Sequence, residues 1–181
     1  NIRYDLENLP NGNVNVVYRI NEFEKVKVKK IIFLGNKTIA DYQLKDIMET
    51  REESLLSGMN GSGNFKEFNF QTDLERIKYF YKTKGHLQIN LGAPDVTVSE
   101  DKRWVFITIK INEGPQFKIN EISFQGEILF TEETIRSKIS LKEDDLYSEE
   151  RLRLDIKKLT EIYQDEGYAF ANVLRTLEII P

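Results

Sequence analysis

The chain has 181 residues but no cysteine, a single histidine and no long apolar run. Without Cys there is no disulfide framework, no thiolate metal site and no Cys nucleophile, while the compartment stays open. His86 has no second His or Cys with which to share a metal, so a ring packed or solvated at a strand start is its plainest reading. No apolar stretch approaches the about 20 residues of a membrane-spanning helix. The chain opens at Asn1 with no secretory leader, as expected of a piece excised from a longer protein.

Charge of one sign is also lacking. The formal net charge is −4 with acids and bases interspersed, which gives no reason to expect nucleic acid. Residues 26–115 carry 14 Lys/Arg against 12 Asp/Glu, a net +2, and residues 117–181 carry 9 against 14, a net −5. This asymmetry reads as differently solvated faces. The acidic run Glu143-Asp144-Asp145 has no partner carboxylate in an apolar setting and reads as a solvated loop. Gly58 to Gly63 lacks the Gly-Lys-Ser/Thr ending of a phosphate cradle. It reads as a loop that displays Leu55, Leu56, Met59 and Phe65 to a partner. Lys25, Lys27, Lys29 and Lys30, at strand spacing, guard an exposed edge. No catalytic residues, metal ligands or cofactor are expected.

What is present is a repeat. Ile20-Asn21-Glu22 and Ile111-Asn112-Glu113 match at an offset of 91, as do Lys27 with Lys118, Ile31 with Ile122, Phe33 with Phe124 and Gly35 with Gly126. Further on the offset becomes 82, pairing Asp73 with Asp155, Tyr81 with Tyr163 and Gly85 with Gly167. The first copy therefore holds nine extra residues between its helices, the Gly/Ser-rich stretch. Each copy is one supersecondary unit that needs its own or a neighbour's apolar face.

In chain order, residues 2–7 and 14–20 flank a Pro- and Gly-containing turn and read as a hairpin. Such a hairpin is marginal alone. Val26 to Phe33 reads as a strand, and Asp41 to Arg51 as a helix with Leu44, Ile47 and Met48 on one face. A second helix is predicted to start at the Thr72/Glu75 capping box and to end at Gly85. Leu87–Ser99 and Trp104–Ile111 read as two strands. The second copy repeats the order: strand 117–124, a helix capped by Thr131, a helix capped by Ser148, then one strand, 171–180, and no last strand.

The β-α-α-β-β order, the strand-ending Gly35 and Gly126, the pattern Asp73-Leu74-x-x-Ile77-x-x-Phe80-Tyr81-x-x-x-Gly85 with its echo from Asp155, and Glu113-Gly114-Pro115 closing a unit together resemble POTRA repeats. The Gly-rich insertion followed by Pro94-x-Val96-x-Val98 is most similar to the second POTRA of BamA-type outer-membrane assembly factors. Phe23-Glu24 in place of Gly-Pro and His86 in place of Tyr168 depart from the pattern. The resemblance implies an α+β fold of tandem modules, each a three-stranded mixed sheet with two helices on one face. It divides the chain into the C-terminal hairpin of a preceding POTRA (1–24), a complete POTRA (25–115) and a POTRA lacking its last strand (116–181).

The same resemblance implies periplasmic modules of a Gram-negative outer-membrane protein that meet the membrane only through an absent C-terminal barrel. They would receive unfolded outer-membrane β-barrel proteins by strand augmentation and dock accessory assembly lipoproteins. The expected edges are Gln88, Ile89, Asn90, Leu91, Val96 and Val98 in one module, and Asn172, Val173, Leu174, Arg175, Thr176 and Leu177 in the next. The second, free of Gly and Pro, is expected to be the more open. Glu113, Gly114 and Pro115 are the expected hinge, and a strand-swapped contact between copies is expected from the incomplete modules. Two alternatives remain: POTRA modules of a two-partner secretion or organelle import channel with one dedicated client, and an enzyme on an α+β scaffold, for which no residue cluster stands out.

Overall fold

The computed structural model describes residues 2–8, 14–20, 25–54, 63–126 and 129–180. Leu55, Leu56 and Met59 lie outside them. Strands β1 (Ile2–Asn8) and β2 (Val14–Ile20) form an antiparallel pair. Unit one contains β3 (Lys27–Leu34), α1 (Asp41–Ile47), α2 (Glu67–Thr83), β4 (Asn90–Leu91), β5 (Asp95–Val98) and β6 (Trp104–Asn112). Unit two contributes helices α3 (Glu132–Lys138) and α4 (Glu149–Asp165). The whole is an α+β arrangement, and β6 lies between β3 on one side and β4 and β5 on the other.

β6 reads apolar at every second residue, and Val105, Ile107, Ile109 and Ile111 are all buried. On β3 the strict alternation breaks. Val28 pairs with Val105 but Lys30 pairs with Phe106, so a bulge leaves Lys29 and Lys30 both outward. The extra residue restores Val28, Ile31 and Phe33 to one face, where a plain strand would have turned Val28 away from the other two. Against this face α2 sets Phe70, Leu74, Ile77 and Tyr81, and α1 sets Leu44, closing the core.

Three element boundaries differ from the sequence reading. Helix α1 stops at Ile47 because the Glu49 and Thr50 N–H groups leave the helical ladder for the Asp73 carboxylate, at 2.7 and 2.8 Å. Helix α2 begins at Glu67, five residues before the expected cap. Burial of Phe70, whose ring sits 5.9 Å from that of Phe65, extends the apolar stripe upstream, and the Thr72 hydroxyl bonds back to Phe68 O inside the helix. The expected strand 87–99 is split into β4 and β5. Across Gly92 to Pro94 the register against β6 slips by one residue, and Pro94 has no N–H to donate.

Unit two repeats several of the loop hydrogen bonds of unit one. Asp155 holds the Ser140 and Leu141 amides at 2.8 and 2.9 Å, as Asp73 holds those of Glu49 and Thr50. The bridge Lys118–Leu146 matches Lys27–Asn64, and Tyr147 N–H to Phe117 O matches Phe65 N–H to Val26 O. Thr131 and Ser148 cap their helices as expected. The expected strands 117–124 and 171–180, however, do not form a ladder among the described residues. In unit one the corresponding strands touch only through β6, and among the described residues of 117–180 no segment pairs as that middle strand. A strand is defined by its partner, so neither segment becomes one.

Candidate protein-binding edge and inter-unit seam

The two margins of the unit-one sheet are unlike. Along β3, Val28 N–H reaches Gly63 O, Glu53 N–H reaches Val28 O, and Ile31 N–H is taken by the Glu52 carboxylate at 2.8 Å. The Val28–Ile31 stretch of that side is therefore covered. The other margin is β5, and the bond from Ser99 N–H to Trp104 O, 2.9 Å, sets its phase. In an antiparallel ladder bonded pairs alternate, so Asp95 and Thr97 bond Thr108 and Phe106 while Val96 and Val98 turn their N–H and C=O away from β6. Their side chains lie opposite Ile107 and Val105 on the helix-covered face, yet they are 37% and 55% exposed because the helices do not reach that far. An outward pair of backbone groups beside a half-open apolar strip is what an added strand requires.

The other residues singled out from sequence are dispersed. Gln88 is exposed beside Gly114, whereas Ile89 and Leu91 pack against the core and Asn90 opens β4. Phe65 also packs on the core through Phe70, so the one described member of the proposed display loop is committed to packing. Asn172, Leu174, Thr176 and Leu177 are exposed, Val173 is half-buried, and Arg175 pairs with Glu149.

Sequence reasoning treated Glu113 only as part of a hinge. In the structure it is a buried carboxylate that gathers the end of unit one. Its Oε1 accepts from Lys37 N–H (2.8 Å), Thr38 N–H (2.9 Å), the Thr38 hydroxyl (2.9 Å) and the Tyr81 hydroxyl (3.0 Å). Burial works to raise its pKa, but the Thr38, Lys37 and Tyr81 donors outweigh it and hold the carboxyl below its ordinary value. Burial, and then Glu113 itself, pushes the Tyr81 phenol well up. Beside them the buried His86 places Nδ1 3.1 Å from Gly114 O and Nε2 3.1 Å from the Thr38 hydroxyl. The signal available in sequence was the Glu kept at the same place in both Ile-Asn-Glu copies, at the end of an otherwise apolar strand.

The seam continues into unit two. Phe117 N–H donates to Gly85 O at 2.9 Å, Gln116 Nε2 to Lys84 O at 3.0 Å, and Leu146 packs so closely on Gly85 that a Cβ there would come within 2.9 Å of it. The end of α2 thus carries both the His86 contact to Gly114 and the first bonds to the next unit. Among the described residues no cluster of His, Cys, Asp and Glu is arranged to hold a metal, and no helix is long and apolar enough to cross a membrane.

A β-α-α-β-β unit followed, across a bonded seam, by a second helix pair held by equivalent bonds defines a class of tandem α+β module. The chain belongs to the POTRA family: the family model described as "Surface antigen variable number repeat" matches residues 26–114 and again 117–179. Among curated relatives, the outer membrane protein assembly factor BamA of Nitratidesulfovibrio vulgaris is 27% identical over 166 residues, covering 90% of this chain and 21% of that protein. BamA of Neisseria meningitidis serogroup B is 24% identical over 169 residues, covering 91% and 21%. The chain thus spans about a fifth of the length of these relatives. The crystal structure of Haemophilus influenzae BamA POTRA3-5 superposes with a TM-score of 0.59 at 17% identity, covering 98% of this chain and 65% of that one. BamA of Haemophilus ducreyi lacking POTRA domains 1–3 gives 0.57 at 18%, covering 76% and 24%. At those identities the superpositions establish the fold alone.

Proposed function

We propose that this chain is a periplasmic part of an outer-membrane protein assembly factor, in which POTRA modules receive unfolded barrel proteins by strand addition and dock accessory subunits. Residues 25–115 and 116–181 are read as consecutive modules, and residues 1–24 as the end of a preceding one. The relatives' names support the assembly role. The observation that carries the binding mode is the outward phase of Val96 and Val98 on the open margin of unit one. Main-chain pairing is largely indifferent to side-chain identity, which suits many clients, while the half-exposed Val96 and Val98 favour apolar residues at alternate client positions. The role is binding without catalysis. The segment Asn172–Leu177 is a second acceptor once it has a ladder partner.

A proline series tests this reading. Val98→Pro removes an outward N–H and leaves the β6 ladder intact, so affinity for an unfolded barrel peptide is expected to fall roughly five- to tenfold, about the loss of one backbone hydrogen bond. Thr97→Pro removes an inward N–H, so it lowers the thermal midpoint of unit one. Titration of both variants with the same peptide, alongside thermal melts, separates the two effects. Unchanged affinity in a folded Val98→Pro protein contradicts strand addition at this edge.

A further inference from the structure

The β5 edge has a second face. Asp95 and Thr97 lie opposite Thr108 and Phe106 of β6, on the side of the sheet turned away from the core that α1 and α2 close. Phe106 stands in the central strand, between Lys30 of β3 and Thr97 of β5. Neighbours in a row ordinarily shelter a ring in that position, yet Phe106 is 40% exposed. The short side chain of Thr97 does not cover it from the margin. One row further on, Asp95 is exposed and has no cation paired with it among the described residues. The margin therefore shows an uncovered aromatic ring and an unpaired carboxylate in adjacent rows of one face.

The phase of β5 gives this face its weight. Val96 and Val98 turn their backbone groups outward, so they form the bonded pairs with an antiparallel newcomer, while Asp95 and Thr97 fall in the non-bonded pairs. Facing residues in non-bonded pairs are the closer ones, with Cα atoms about 4.5 Å apart against about 5.5 Å. Cross-strand side-chain pairs at such positions stabilise or destabilise a ladder according to charge and shape.

We infer that this face selects among clients, and that the β5 edge prefers extended segments in which an aromatic residue stands two positions before a Lys or Arg, with an apolar residue between them. The inference rests on the strand-addition reading above. Antiparallel pairing is the more stable per residue, and it runs the client from Thr97 towards Asp95, so the aromatic comes first. With strands about 4.8 Å apart, the added strand lies about 10 Å from β6, a distance that a Tyr or Phe side chain spans by leaning across Thr97 onto Phe106. The cation two residues later meets Asp95 directly, and the apolar residue between them shares the helix side with Val96. An Asp or Glu facing Asp95 is disfavoured by like charge.

Short peptides of alternating Val and Thr, titrated against the whole chain, test the preference. The parent peptide is expected to slow amide exchange at Val96 and Val98. Replacing the Thr residues on either side of one Val by Tyr and then Lys is expected to tighten binding about tenfold, and the reverse order by no more than about twofold. Asp95→Lys, at an exposed position, is expected to weaken the Tyr-Val-Lys peptide about fivefold and to strengthen a Tyr-Val-Glu peptide by a similar factor. Phe106→Thr is expected to abolish the gain from Tyr and to leave the gain from Lys. Equal affinities for the parent, forward and reversed peptides, with Val96 and Val98 still protected, overturn the inference and leave strand addition standing. Absence of protection with every peptide overturns both.

Discussion

Glu113→Ala is expected to destabilise unit one by about 4 kcal/mol, the largest single-residue effect foreseen here. Hydrogen bonds to a charged group contribute about 1.5–3 kcal/mol each and do not add fully, and the substitution leaves the Lys37 and Thr38 amides and the Tyr81 hydroxyl without their acceptor. Glu113→Gln keeps an acceptor oxygen but loses the charge, so its cost is expected to be about half as large. Tyr81→Phe removes one donor and is expected to cost about 1–2 kcal/mol. The pH dependence separates charge from shape. Because the folded carboxyl titrates below its unfolded value, its stabilisation is fully present above the unfolded value and is lost as pH falls through the folded one. Denaturant melts should therefore show wild type and Glu113→Gln well separated at pH 7 and converging in acid.

The second large effect is Gly35→Ala, expected to cost about 3 kcal/mol and to lower the unit-one midpoint by roughly 15 °C. Gly35 has φ +96°, and a Cβ there would sit 2.2 Å from Ile111 O, a backbone atom of the central strand that cannot step aside. Its counterpart Gly126, φ +107°, has no atom within 4 Å of the added Cβ. Gly126→Ala is therefore expected to cost only the backbone strain of the left-handed region, about 1–2 kcal/mol. The contrast follows from the same cause as the missing ladder in unit two, since the carbonyl that makes Gly35 obligatory belongs to the middle strand. Calorimetry of both variants reads the difference directly.

Much of this architecture is legible in the chain because a repeat states its constraints twice. The offsets of 91 and 82 mark which residues share a role, and the structure shows Asp73 and Asp155 holding equivalent amides and Thr131 and Ser148 capping their helices. Alternation identified β6 as a strand buried on one face. Other features depended on contacts distant in sequence. The start of α2 was set by Phe70 packing on Phe65, which outweighed a local capping pattern at Thr72. The bulge at Lys29 and Lys30 appears only when β3 is laid against β6. The convergence of Thr38, Tyr81, His86 and Glu113 joins residues up to 75 apart in sequence. Such polar clusters carry no periodicity, and the repeated Glu was their only trace.

Seam and edge act together. The carboxylate cluster fixes the last residue of β6 to the loop after β3 and to α2, and α2 in turn carries the bonds to Phe117 and Gln116. Rigid anchoring at this corner holds β6 in place, and with it the outward phase of β5. The contribution of the polar cluster is to keep an open strand in one register.

Amide hydrogen exchange at β5, measured with and without an unfolded outer-membrane barrel peptide, tests the central claim most directly. Asp95 and Thr97 already bond β6, so their exchange is predicted to change little. Val96 and Val98 face outward and are predicted to slow at least tenfold when the peptide adds a strand. Peptide binding that leaves Val96 and Val98 unprotected would contradict the account.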